Sequence, residues 1–163
     1  MSRSPQIVVA ALLAMAVATA AQAQINSPPP PLQGATSYHL WSVPGVMRVA
    51  GIAPFFACTN TTNNAIRVGV EVFASFGGAA VNDPSATSLN VGAGAAVLFG
   101  SLAVGLFPDS DPGIPPMQNG SARILATAKS GIICGAFLAD DGNAPPTFMS
   151  DLTVVKSIKQ KGD

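Results

Sequence analysis

The sequence predicts an all-β fold, an antiparallel β-sandwich of about seven to nine short strands. Three observations carry that expectation. Along residues 66–76, Ile66, Val68, Val70, Val72, Ala74 and Phe76 alternate with Arg67, Gly69, Glu71, Phe73 and Ser75. A period of two marks a strand with one buried face. The 16 glycines and 14 prolines are scattered among Val-, Ala- and Thr-rich runs, which favours short strands and many turns over helices. Two cysteines, Cys58 and Cys134, lie on distant strand-like stretches, and such a pair in an exported chain defaults to one disulfide.

Export itself is expected from the start of the chain. Arg3 precedes an apolar run over residues 7–18 and the small-residue pattern Ala21-Gln22-Ala23. This reads as a secretory signal peptide, residues 1–23, too short and wrongly flanked to serve as a membrane span. Its removal leaves about 140 residues, enough for one domain with a real core. Losing Arg3 leaves seven basic against eight acidic groups, a balance that argues against nucleic acid or an anionic membrane as ligand. The destination is secreted, periplasmic or extracellular. Residues 24–36, with Pro28-Pro29-Pro30-Pro31, read as a Pro-rich flexible leader. Residues 37–156 form the sandwich domain and residues 157–163 a disordered basic tail.

Within the domain, Tyr38, Leu40 and Ser42 alternate with His39, Trp41 and Val43 up to the Pro44-Gly45 turn. Residues 46–59 hold two short strands broken near Gly51 and Pro54, the second with Phe56 and Cys58 on one face. Residues 60–64 are a turn cluster whose Asn60 opens a glycosylation sequon, as does Asn119. On the 66–76 strand, Arg67 and Glu71 are expected to face water. Leu89 and Val91, then Gly92-Ala93-Gly94 and residues 95–99, read as strand, turn and strand. Residues 98–107 stay open, because Leu98, Leu102 and Leu106 have helical spacing while Gly100 and Gly105 oppose a helix. If exposed, they offer a surface for a hydrophobic partner. Residues 108–120 are a long loop.

Residues 122–140 read as a β-hairpin. A three-residue loop, Lys129-Ser130-Gly131, lays Ile124, Ala126 and Ala128 beside Ile132, Cys134 and Ala136, giving one uniformly apolar face. A last strand runs over residues 148–155.

Catalytic chemistry finds little footing. His39 is the single histidine, Glu71 the single glutamate, and neither Gly-x-Ser-x-Gly nor Ser-x-x-Lys occurs. The aspartates stand in turns, where capping explains them. Asp109, Asp111, Asp140 and Asp141 could unite as a calcium site, since hard cations want several oxygens. Tyr38, His39 and Trp41 could form an aromatic cluster that stacks on sugar or anchors a partner. No other cofactor is expected.

Cysteine-bearing strands separated by turn-rich strands resemble an immunoglobulin-type sandwich, and that resemblance implies an inter-sheet disulfide between Cys58 and Cys134. The pattern Cys58-Thr59-Asn60, Val68-Gly69-Val70, Gly120-Ser121-Ala122-Arg123-Ile124 and Cys134-Gly135-Ala136 also resembles uncharacterised secreted bacterial proteins. It covers residues 40–155 and implies an exported β-domain. The expected role is therefore non-enzymatic: structural, adhesive or partner-binding, toward a protein or a surface glycan. The second reading is a calcium- or carbohydrate-binding module using the aspartate loops or the Tyr38/Trp41 cluster.

Overall fold

The computed structural model describes residues 25–100 and 106–157. The expected signal peptide, residues 101–105 and the tail from 158 lie outside the described residues. Nine strands follow in order: β1 (Tyr38–Pro44), β2 (Ile52–Asn60), β3 (Ile66–Ala74), β4 (Leu89–Val91), β5 (Ala96–Gly100), β6 (Gly120–Ala126), β7 (Ile132–Asp140), β8 (Met149–Leu152) and β9 (Val155–Lys156). They form two antiparallel sheets, one ordered β4-β3-β6-β1-β9 and the other β5-β2-β7-β8.

The alternation sorts the interior as expected. Val68, Val70 and Val72 of β3, Ala122, Ile124 and Ala126 of β6, and Val43 of β1 point inward from the five-stranded sheet. Phe56, Cys58, Phe99, Ile132 and Ala136 meet them from the four-stranded sheet, and all belong to one buried cluster. Ile114, from the long loop over residues 108–120, is buried in the same cluster, and Arg48 and Met117 exchange backbone hydrogen bonds. That loop closes one end of the core.

The hairpin expectation is corrected. β6 pairs with β1 and β3, whereas β7 pairs with β2 and β8, so the two consecutive strands sit in opposite sheets. Ile124 and Ala126 do meet Ile132 and Ala136, but across the core rather than along an edge. A period of two says which residues point inward; it does not say whether the matching apolar face lies beside the strand or opposite it. Gly131 turns the chain between layers with φ of 88°, and its carbonyl accepts from Thr61 N at 2.8 Å.

The disulfide between Cys58 and Cys134 is present. It is not an inter-sheet bridge: Cys58 is directly opposite Cys134 on β2 and β7, neighbours in the four-stranded sheet. Their Cα atoms are 4.2 Å apart, the spacing of a non-hydrogen-bonded antiparallel pair. The likeness to an immunoglobulin sandwich therefore stops at the layered architecture.

Residues 25–37 are packed as a strap over the five-stranded sheet. Leu32 is fully buried, and bonds with Ala35 in both directions close its own turn. Gln33 N donates to Ser85 Oγ at 2.9 Å and Ser37 Oγ to Pro30 O at 2.6 Å. Burying a leucine of this kind contributes roughly 1.5–3 kcal/mol. Gly69 permits the approach, since a Cβ there would lie 2.9 Å from Pro84 O and 3.0 Å from Leu32 Cδ2. The Pro-rich stretch thus belongs to the domain instead of leading into it.

Candidate functional site

Two outer faces of the sandwich differ in what covers them. On the five-stranded sheet, Glu71 and Arg123 are opposite one another on β3 and β6. The expectation that Glu71 faces water is corrected: Glu71 is 2% exposed and Arg123 0%. Arg123 Nε donates to Glu71 Oε2 at 2.5 Å. Its Nη1 reaches the carbonyls of Ile25 at 3.0 Å and Ser27 at 2.6 Å, and its guanidinium lies 5.3 Å from the centre of the Phe73 ring. A buried arginine requires this many acceptors. The strap supplies two of them from its backbone, which leaves no side-chain signature in the sequence. Arg67, also expected to face water, is half-buried and donates to Ser88 O at 3.2 Å.

On the four-stranded sheet, the outward residues form a grid that the pairings define. Ala96, Thr59 and Ile133 make one row; Leu98, Ala57 and Gly135 the next; Gly100, Phe55, Phe137 and Asp151 the third; Ala53, Ala139 and Met149 the fourth. Phe55 and Phe137 stack with centroids 5.4 Å apart, and Leu98 and Leu106 pack beside them. The first two rows are open. Ala57, Thr59, Ala96, Ile133 and Gly135 are exposed, with Ile133 at 63%. Asp151 is the single charged side chain in the grid. An outer sheet face in water normally carries polar side chains at these positions. This one offers mainly small and apolar groups on its open rows.

Residues singled out from the sequence fall elsewhere. A β-bulge between His39 and Trp41 shifts the register of β1. It reverses the alternation beyond Leu40, so that Tyr38, opposite Ala126, and Trp41, opposite Ile124, share the inner side while His39, opposite Leu125, lies on the outer side. Trp41 packs on the core with its indole Nε1 buried and without a hydrogen-bond partner among the described residues. Lys129 Nζ lies 5.0 Å from the centre of the Tyr38 ring. The three do not present one aromatic strip.

The same bulge brings His39 Nε2 to 2.9 Å from Ser42 Oγ, a contact that strict alternation would forbid. A serine beside an imidazole is the first element of a nucleophilic pair. The electrostatics run the other way. Burial, followed by the nearby Arg123 charge, holds the His39 pKa below its ordinary value. A base that must become imidazolium in the transition state gains nothing from a neighbouring guanidinium.

Asp109, Asp111 and Asp140 of the suggested calcium set accept hydrogen bonds at separate places. Asp109 Oδ2 accepts from Leu98 N at 2.7 Å, and Asp111 Oδ1 from Gly113 N at 2.8 Å. Asp140 accepts from Thr147 N and Oγ1 and from Asn143 Nδ2; the Thr147 and Asn143 bonds hold its pKa below the ordinary carboxylate value. Asp141 N donates to Gly51 O. Among the described residues, no three His, Cys, Asp or Glu side chains come together in a metal-binding group. Asn60 is fully buried, its Nδ2 donating to the carbonyls of Asn64, Val91 and Gly92, so that sequon is closed in the folded domain.

No helix among the described residues is long and apolar enough to cross a membrane. No family model matches the chain, and no curated protein or solved structure matches it either.

Proposed function

We propose that this chain is an exported, non-enzymatic β-sandwich that works by binding a protein partner through the two open rows on the outer face of its four-stranded sheet. One observation carries the reading: Ile133 and its neighbours Ala57, Thr59, Ala96 and Gly135 stand exposed together without a charge among them, while the opposite outer face is sealed by the strap and the buried Glu71–Arg123 pair. The disulfide and the signal-peptide pattern support export, since such bridges persist in oxidising compartments. A flat apolar face suits a protein surface better than a glycan, which would call for stacked exposed aromatics and polar groups.

The test is a photo-crosslinking amino acid placed at Ile133 and, as control, at Thr36, exposed on the strap. Expression in the producing cell should yield discrete protein adducts from position 133 and none from position 36. Equal adduct patterns from both positions would contradict the reading.

A further inference from the structure

The sandwich has four sheet edges, and they are not protected alike. Beside β5, Asp109 N donates to Leu98 O and Gly100 N to Ser110 O, while Asp109 Oδ2 takes Leu98 N. The chain thus seals that edge itself. Beyond the short β4, Asn82 bonds Val72 N and Val70 O of β3 through its amide, and Val81 N donates to Val72 O. β9 is only two residues long, and its partner β1 carries the bulge. Natural sandwiches blunt their edges with such devices to prevent strand addition. β8, four residues long, has neither a covering segment nor a bulge among the described residues, and its one charge is Asp151. Among the described residues it has no strand on its far side, it carries neither proline nor lysine, and its Met149, Ser150 and Asp151 are exposed.

The phase of its backbone is known. Asp140 N donates to Phe148 O at 3.2 Å, and Ala139 is opposite Met149. In an antiparallel ladder, residues alternate between peptide groups turned toward the partner and turned away. The peptide groups of Phe148, Ser150 and Leu152 therefore face β7, and those of Met149 and Asp151 point out from the open edge.

We propose that a second copy of this chain adds here, its β8 antiparallel to the first about a two-fold axis through Ser150. Such an axis, perpendicular to the sheet, keeps each side chain on its own face only if it passes through a residue. An axis through Asp151 would set two carboxylates opposite each other, a destabilising pair. An axis through Ser150 pairs Met149 with the second copy's Asp151, whose outward N–H and C=O groups supply four hydrogen bonds in all. It sets the two Ser150 residues opposite one another as a non-hydrogen-bonded pair, and Phe148 near Leu152 of the other copy. The two four-stranded sheets become one eight-stranded sheet. The contact is short and belongs with weak, concentration-dependent dimers.

The opposed Ser150 pair has the same relation as Cys58 and Cys134 within the sheet, a spacing a disulfide can bridge. Ser150→Cys should therefore cross-link into a covalent dimer under mild oxidation, while Asp151→Cys, off the axis, should cross-link at least about tenfold more slowly. Met149→Pro removes only an outward donor and should abolish the dimer that sedimentation velocity detects in the wild-type protein. A wild-type protein monomeric up to about 1 mM would overturn the proposal. So would equal cross-linking at positions 150 and 151, or a dimer that survives Met149→Pro.

Discussion

The two outer faces of this sandwich are built from strands of similar length and end in opposite states. On the five-stranded sheet, a charged pair is buried, an arginine is completed by backbone carbonyls from the chain's own strap, and Leu32 fills the space above Gly69. On the four-stranded sheet, no strap crosses the first two rows among the described residues, and the outward side chains there are small or apolar. The four-stranded sheet, covered only over its third and fourth rows, carries the covalent tie between its two central strands. Cover and cross-link thus serve one end by separate means: one face is stabilised from above, the other in part from within its own plane, which leaves two of its rows free.

Loss of the disulfide should have the greatest consequence for the four-stranded sheet. Cys58→Ser opens a loop with a sequence separation of 76 residues and should cost about 4–5 kcal/mol in denaturant unfolding of the oxidised protein. A cost under about 1 kcal/mol would mean that the four-stranded sheet holds without it.

Next is the covered face. Arg123→Ala strands the Glu71 carboxylate in a buried site and should cost about 3–5 kcal/mol. Replacing both partners, Arg123→Met with Glu71→Leu, should recover most of that loss, because neither charge then remains buried alone. If the double variant is as unstable as the single one, the strap rather than the ion pair governs this face.

A smaller effect depends on pH. Since the folded-state pKa of His39 lies below its ordinary value of 6.5, the unfolded chain binds the proton more readily. The neutral-histidine contribution is thus fully present above pH 6.5 and is lost as the pH falls through the folded-state value. The melting temperature should fall on acidification below pH 6.5, and His39→Gln should flatten that part of the curve.

Smallest in stability is the bare face. Ile133→Asp adds a charge to an exposed position and should change unfolding by no more than about 0.5 kcal/mol. The same change should remove the partner adducts formed from neighbouring Thr59. A large loss of stability would show that Ile133 is part of a core and not of a surface.

Much of the interior was legible from alternation alone. Val68, Val70 and Val72 and the set Ile124, Ala126, Ile132 and Ala136 point inward as their spacing predicts. What alternation lacks is a second dimension. It cannot distinguish a strand's edge neighbour from the strand across the core, so residues 122–140 read as a hairpin and Cys58–Cys134 as a bridge between sheets. The bulge after His39 is equally silent, because one extra residue leaves no mark in residue type, yet it decides which side His39, Trp41 and Ser42 occupy. The strap escaped for a related reason. Its hold on Arg123 is made by main-chain carbonyls, which every residue possesses, and its buried apolar anchor, Leu32, directly follows a run of prolines. The bare face was visible only in part, since Ile133, Gly135 and Phe137 alternate with inward residues but look like ordinary strand until their partners are known.

The most direct test is carbene or hydroxyl-radical footprinting of the intact protein, read residue by residue. One sealed face and one open face predict heavy labelling at Ile133 and Met149, with Leu32, Leu125 and Phe73 protected. Labelling of Leu32 and Leu125 at the level of Ile133, or protection of Ile133 in the isolated monomer, would contradict the account.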